Sequence, residues 1–244
     1  MGNLTLEEYL DNEEIINLSN LPFSEIKSGF NNEFNEVLEN LYSCTQEAIV
    51  AFYSYIINNG YENLFDGSTY DRTIKTIPLV KSEIEGQNSI LEIGCGSGLK
   101  SVYYALKFPE TNFLCLDLNE ISLNVARKRS DKYGCKNIEF IKGDLLDLNI
   151  DKTFSCVLAE YSLHETSNNN YNPFNEKITK IRELIGRPDN KFVGILTPSE
   201  IYSFCQSFWS DAHYAGIDVD FKQIDFIQWG HEHSSLLITG NPIN

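Results

Sequence analysis

The chain has 244 residues, of which 42% are hydrophobic, and its 19 basic and 35 acidic side chains leave a formal net charge of −16. This length and hydrophobic fraction predict a folded domain with additions and exclude disorder as the default. The acidic balance argues against nucleic acids and anionic membranes as partners, because their phosphates carry the same sign of charge. No stretch of about 18 apolar residues is present, so no membrane span is expected.

The cysteine pattern and the N-terminus bear on the cellular compartment. The six cysteines include no C-x-x-C pair, which predicts reduced thiols rather than a disulfide framework or a zinc cluster. The N-terminus has neither a basic region nor an apolar run, so no signal peptide is expected. His231 and His233 share a strand face, but no further ligand accompanies them at a recognised spacing. We therefore expect a cytoplasmic protein without a metal site.

Helical periodicity dominates the first 85 residues. Thr5 and Glu8 form a capping box, and a loop is predicted over 17–29, where Pro22 and Gly29 interrupt the pattern. Apolar spacing predicts three helices, over residues 6–16, 30–58 and 70–85, the last one bent near Pro78. We expect these helices to form an N-terminal cap or extension over residues 1–85.

Strand and helix patterns alternate from residue 86 to residue 244. Strands are predicted over 89–93, 112–117, 137–141, 153–159, 191–196, 218–229 and 233–239. Helices are predicted from Leu99 and over 120–133, 174–185 and 199–214, with a polar loop over 167–173. Alternation implies parallel pairing with right-handed crossovers, and the short last connection implies an antiparallel hairpin. The predicted fold class is α/β: a doubly wound, mostly parallel seven-stranded sheet with a terminal antiparallel hairpin.

Three alternating glycines follow the first strand of this domain, at Gly94, Gly96 and Gly98. Such a turn between a strand and a helix is typical of nucleotide-type sites, because glycine permits positive φ and close approach of a ligand. A dinucleotide fingerprint requires a third glycine where Leu99 stands. With Glu92 the stretch reads E-x-G-x-G-x-G and resembles the first motif of class I S-adenosylmethionine-dependent methyltransferases.

The resemblance extends over residues 86–244 and implies a Rossmann-like domain with S-adenosylmethionine as its cofactor. In that family the glycine turn, here with Cys95, holds the amino acid part of the cofactor. Asp117 corresponds to the acceptor for the ribose hydroxyls, with Leu118 beside the adenine. Asp144 corresponds to the partner of the adenine amino group, and Leu145 offers its backbone N–H. The implied cofactor-binding residues are Glu92, Gly94, Cys95, Gly96, Gly98, Asp117, Leu118, Asp144, Leu145 and Glu160.

The segment A-E-Y-S-L-H-E over residues 159–165 is similar to the family's fourth motif, which borders the transferring methyl group. His164 is the candidate general base because histidine titrates near neutral pH. Tyr161 and Glu160 are candidates for orienting the substrate. The alternative for His164 is a hydrogen-bonded residue that fixes the loop after the strand, and the alternative for Tyr161 is a wall of the cofactor pocket.

The expected reaction is methyl transfer to oxygen, nitrogen or carbon of a small-molecule acceptor. Four alternatives stay open: a protein acceptor, another reaction with the same cofactor such as a cyclisation or rearrangement, a non-catalytic binding protein, and a nicotinamide dehydrogenase.

Overall fold

A computed structural model describes residues 4–31, 33–41, 45–163, 173–187, 189–196, 212–228 and 230–243. Nine helices of five or more residues lie in these ranges: α1 (Leu6–Asn12), α2 (Phe23–Lys27), α3 (Phe34–Leu41), α4 (Gln46–Asn58), α5 (Glu62–Ser68), α6 (Tyr70–Ile84), α7 (Leu99–Lys107), α8 (Glu120–Tyr133) and α9 (Pro173–Ile185). None of these described helices is long and apolar enough to cross a membrane.

Seven strands form one sheet: β1 (Ser89–Ile93), β2 (Asn112–Asp117), β3 (Ile138–Lys142), β4 (Cys156–Glu160), β5 (Lys191–Leu196), β6 (Ile217–Gln228) and β7 (His231–Pro242). Their order is β3-β2-β1-β4-β5-β7-β6. Pairs among β1 to β5 are parallel, and β7 pairs antiparallel with both β5 and β6. The predicted fold class is confirmed, including the terminal hairpin. Strand order reverses between β1 and β4, the place where open α/β sheets bind ligands.

The N-terminal helices differ from their predicted limits. The single helix expected over 30–58 is wrong, because Thr45 caps a new helix by accepting a hydrogen bond from the Ala48 N–H. The helix expected over 6–16 ends at Asn12, since Glu14 has a positive φ of 59°. Helix α2 occupies part of the expected loop, and α5 was not predicted at all.

The fourth strand begins at Cys156 rather than at residue 153. The first residues predicted for this strand form other hydrogen bonds instead of strand pairs. The Phe154 N–H donates to the Leu184 carbonyl at 2.8 Å. The Ser155 hydroxyl oxygen accepts from the backbone N–H groups of Asn88 and Ser89. Most of the helix predicted over 199–214, and nearly all of the loop predicted over 167–173, lie outside the described residues.

The buried apolar residues form three clusters. The first packs side chains of α1, α6, α7 and α8 against one face of the sheet, and Tyr9 and Leu10 of α1 lie fully inside it. The second lies on the other face, with α9. The third joins α2 to α5 around Phe34 and Phe52 and contains no strand residue. Helices α2 to α5 thus have an aromatic core of their own, whereas α1 and α6 share the core of the sheet. The domain boundary at residue 86 stays a prediction.

Candidate active site

A cavity of about 230 Å³ lies at the carboxyl ends of β1, β2 and β4. Residues at the ends of these strands line it together with residues of α4, α5 and α6. Apolar side chains from these helices include Ile49, Val50, Tyr53, Ile56 and Phe65. A largely apolar cleft with a few converging polar groups is the usual form of a small-molecule site.

The three glycines of the turn differ in their surroundings. All have positive φ, namely 71° at Gly94, 55° at Gly96 and 72° at Gly98. A Cβ on Gly94 would overlap the Cβ of Ser162, and one on Gly98 would stand 2.7 Å from the Cβ of Ala126. A Cβ on Gly96 meets nothing within 4 Å and would point into open space. Gly94 and Gly96 line the cavity, whereas Gly98 lies behind it. The turn therefore has one glycine whose missing side chain leaves room for a ligand.

Asp117 ends β2 beside this turn. Its carboxylate accepts a hydrogen bond from the Gly96 N–H at 2.7 Å and another from the Asn119 N–H at 2.8 Å. Burial raises the pKa of Asp117, and the backbone hydrogen bonds of Asn119, Gly96 and Leu118 oppose that shift. Asp117 and Leu118 both line the cavity, as the sequence predicts.

Asp144 follows β3 and lines the cavity together with Leu145. One oxygen of the Asp144 carboxylate accepts a hydrogen bond from the Leu146 N–H at 2.9 Å. The other accepts a short hydrogen bond from the side-chain amide of Gln46, in the first turn of α4. An amide donor from the N-terminal helices therefore occupies the carboxylate that was predicted to meet the adenine amino group.

Glu160 ends β4 and is buried. Its carboxylate forms an ion pair of 2.7 Å with Lys100 and accepts a hydrogen bond of 2.8 Å from the Tyr104 hydroxyl. Tyr161 follows with a positive φ of 59°, a strained conformation for a bulky residue. Its hydroxyl lies 3.0 Å from the Ser235 Oγ, and burial raises its pKa to about 12. Both residues line the cavity, but His164 lies outside the described residues.

Glu92 and Cys95 lie deep in the cavity wall. Glu92 is only 4% exposed, and burial raises its pKa to about 7, with the nearby Glu160 carboxylate acting in the same direction. The Cys115 thiol donates to the Glu92 carboxylate at 3.5 Å. Nine of the ten predicted cofactor-binding residues therefore line one cavity, and Gly98 is the exception.

Sequence reasoning missed several charged residues that line the same cavity, among them Asp66, Arg72, Lys100 and Lys177. It also missed Gln46, which donates to the Asp144 carboxylate. Burial lowers the pKa of Lys177 to about 8, against the influence of Asp144, and its ammonium donates to the Leu163 carbonyl at 3.0 Å. Burial also raises the pKa of Asp66 to about 6. Most of these residues stand on helices, where no motif marks them. Only Lys100 had a signal, since it directly follows the glycine turn.

The glycine turn, the acidic ends of β2 and β4 and the strand order are those expected of a class I methyltransferase fold. Comparison with known proteins supports this class. Residues 90–182 match the family model described as a methyltransferase domain. The fatty-acid O-methyltransferase of Mycolicibacterium smegmatis is 33% identical over 114 residues, which cover 46% of this chain and 38% of that protein. This chain therefore spans less than half the length of that relative.

Solved structures agree in fold. The DhpI–SAH complex superposes with a TM-score of 0.60 at 14% identity, covering 80% of this chain and 95% of that one. The cyclase SpnF superposes with a TM-score of 0.57 at 13% identity, covering 71% of this chain and 82% of that one. At such identities the likeness establishes a shared fold alone. Together with the methyltransferase-domain match over residues 90–182, it agrees with the resemblance found in the motifs.

Proposed function

We propose that this chain transfers a methyl group from S-adenosylmethionine to a small-molecule acceptor, as a cytoplasmic enzyme with a helical N-terminal cap over residues 1–85. The observation that carries the proposal is the convergence of Gly96, Asp117, Asp144 and Glu160 on one mostly apolar cavity. The absence of a clash at Gly96 supports the fit of a cofactor there. The fatty-acid substrate named for the relative in Mycolicibacterium smegmatis is a small molecule and is consistent with this proposal.

In this proposal, different residues hold different parts of the cofactor or exclude water from it. S-adenosylmethionine supplies a methyl group on a positively charged sulfur, which is already reactive toward a nucleophile. The glycine turn and Asp117 hold the amino acid and ribose parts, and Asp144 and Leu145 hold the adenine. Ile49, Val50 and Tyr53 of α4 line the cavity with apolar groups that exclude water, which favours transfer to the acceptor over side reactions. The role of His164 as a general base stays a prediction.

The N-terminal helices make direct contact with this proposed cofactor site. The side-chain amide of Asn119 donates to the Ser54 hydroxyl at 3.0 Å and to the Val50 carbonyl at 3.3 Å, which joins the start of α8 to α4. With the Gln46–Asp144 bond, α4 is attached next to both β2 and β3. A cap in this position covers the ribose and adenine parts of the proposed site rather than only the acceptor.

Asp117→Ala is expected to weaken the binding of S-adenosylhomocysteine by about 1.5–3 kcal/mol, the range for hydrogen bonds to charged groups. Isothermal titration calorimetry of both chains measures this difference. Asp131→Ala, which removes an exposed acid from α8, is the matched control and should bind as the wild type does. Unchanged affinity in Asp117→Ala would show that the ribose is placed wrongly. A wild-type chain that binds no S-adenosylhomocysteine would contradict the proposed function itself.

Gln46→Ala is expected to strengthen S-adenosylhomocysteine binding by up to about tenfold, since it removes the amide that competes for the Asp144 carboxylate. Glu47→Ala, at the exposed neighbouring position of α4, is the control. Dissociation constants from the same calorimetric titration give the comparison. Weaker binding in Gln46→Ala alone would instead make Gln46 a cofactor ligand.

Product mass separates methyl transfer from a cyclisation or rearrangement. The chain is incubated with S-adenosylmethionine and a panel of carboxylic acids, phenols and amines. A gain of one methyl group in the acceptor, together with S-adenosylhomocysteine formation, is the expected result. An acceptor altered at constant mass would assign the chain to another reaction of the same cofactor.

A further inference from the structure

Two cations meet at the aromatic ring that follows β4. The guanidinium carbon of Arg72, in the first turn of α6, lies 4.2 Å from the centroid of the Tyr161 ring. The Lys100 ammonium lies 4.9 Å from the same centroid. Both cations line the cavity. Their charges are not equally balanced, because the Glu160 carboxylate pairs with Lys100 at 2.7 Å.

Arg72 lacks such a partner in the part of the chain that the structure describes. Its Nε is buried and makes no hydrogen bond, and none of the ion pairs among the described residues includes its guanidinium. Asp66 lines the same cavity but forms no ion pair with it there. A buried donor without an acceptor is costly. A ligand that places an acceptor atom beside the Arg72 Nε–H would remove that cost.

We propose that Arg72, held on the face of Tyr161, is the carboxylate receptor of this cavity. The planar guanidinium offers N–H donors in a fork that matches the two oxygens of a carboxylate. The Tyr161 ring holds the guanidinium by a cation–π contact, and the Tyr161 hydroxyl is itself hydrogen-bonded with Ser235.

The positive charge of the cofactor also favours a carboxylate beside Arg72. The inference rests on the proposed function, in which a positively charged sulfonium enters the cavity beside Arg72 and Lys100. The sulfonium and the unpaired guanidinium of Arg72 would repel each other strongly in a site of low dielectric, and a carboxylate between them would remove that repulsion. The carboxylate has two possible sources: the amino acid tail of the cofactor or a carboxylic acid acceptor.

The first arm of the test addresses the cofactor tail. S-adenosylhomocysteine and 5′-methylthioadenosine, which lacks the amino acid tail, are titrated into the wild type, Arg72→Gln and Lys75→Gln. Lys75 stands on the same helix outside the cavity lining, so its variant removes an equal charge from α6. If the tail is the source, Arg72→Gln loses about 10- to 100-fold in affinity for S-adenosylhomocysteine and none for 5′-methylthioadenosine.

The second arm addresses the acceptor. Octanoate and octanamide, which differ in charge but little in size, are titrated into the same three chains with and without saturating S-adenosylhomocysteine. If the acceptor is the source, the wild type and Lys75→Gln bind octanoate more tightly than octanamide. In Arg72→Gln the ratio of these two affinities falls by about tenfold or more. Arg72→Lys keeps the positive charge but lacks the fork of N–H donors. For whichever ligand depends on Arg72, its affinity is expected to lie between those of the wild type and Arg72→Gln.

The two possible failures can be told apart. If the wild type binds neither S-adenosylhomocysteine nor 5′-methylthioadenosine, the proposed function fails, and octanoate alone then decides the role of Arg72. The inference about Arg72 is overturned if Arg72→Gln changes neither S-adenosylhomocysteine nor octanoate binding, including the case in which the wild type binds neither. Thermal unfolding of each variant shows whether it is folded, and Arg72→Lys replaces Arg72→Gln in both arms if the latter is not.

Discussion

Gly96→Ala is expected to leave the chain folded and to weaken cofactor binding, whereas Gly94→Ala is expected to damage the fold. Both glycines have positive φ, which costs about 1–2 kcal/mol for an alanine. At Gly94 the new methyl group also overlaps Ser162, and overpacking adds about 1–3 kcal/mol. At Gly96 the methyl group meets no atom within 4 Å and Gly96 lines the cavity, so we expect its effect to fall on the ligand.

Urea unfolding and calorimetric titration of S-adenosylhomocysteine separate these two effects. We expect Gly94→Ala to lose about 2–5 kcal/mol of unfolding free energy. Gly96→Ala should lose about 1–2 kcal/mol of stability and about tenfold or more in affinity, since 1.4 kcal/mol of steric strain already amounts to a factor of ten. Gly134→Ala is the control, because Gly134 has φ 67° and open space around it but lies outside the cavity lining. Wild-type affinity in Gly96→Ala would refute the glycine turn as the cofactor cradle.

The central part of the fold was predictable because its signals are local. Strand β2 and helix α8 have the limits that the sequence predicts. Asn119 caps α8 through its side chain, and Gly134 ends it in the left-handed conformation. The N-terminal helices carry weaker signals, since Thr45 starts α4 within an apolar pattern that continues across the break. Periodicity alone does not show where such a pattern is interrupted.

The candidate site was predictable only where it uses the ends of strands. Asp117, Asp144 and Glu160 follow strands whose parallel order brings their carboxyl ends to one edge, so the topology alone predicts their meeting. Arg72 lines the same cavity and Gln46 contacts its Asp144, both from helices that precede the sheet in the chain. Their approach depends on how α4 and α6 pack, and no spacing within the sequence encodes that contact.

A second large effect is expected where the N-terminal segment meets the glycine turn. The Glu13 carboxylate pairs with Arg129 at 2.5 Å and with Lys132 at 2.7 Å, and the side chains of Glu13 and Arg129 are only 8% and 6% exposed. Arg129 in turn donates hydrogen bonds to the backbone carbonyl and the hydroxyl of Ser97, inside the turn. Glu13 thus anchors the arginine that donates to Ser97 in the glycine turn.

Glu13→Ala is expected to lower the free energy of unfolding by about 3–5 kcal/mol at neutral pH, because Arg129 is left as a buried charge without its partner. Glu120→Ala is the matched control: it breaks the exposed pair with Arg127 and should cost about 0–1 kcal/mol. Urea unfolding of both variants measures the difference. Equal losses in the two variants would show that the buried pair contributes no more than a surface pair.

The stabilisation by Glu13 should also depend on pH in a defined direction. Burial by itself would raise the pKa of Glu13, but the hydrogen bonds from Lys132 and Arg129 outweigh it and lower the pKa below the ordinary 4.5. A carboxyl whose pKa is lower in the folded state stabilises the fold fully above its unfolded pKa, and this stabilisation fades as pH falls through the folded value. The gap in stability between the wild type and Glu13→Ala should therefore be constant from pH 6 to 7, as an approximate range, and narrow below about pH 4.5. A gap that widens on acidification would contradict this, since it would require a raised pKa. The same acidification should release Arg129 from the Ser97 loop, so cofactor affinity and stability should decline together in the wild type.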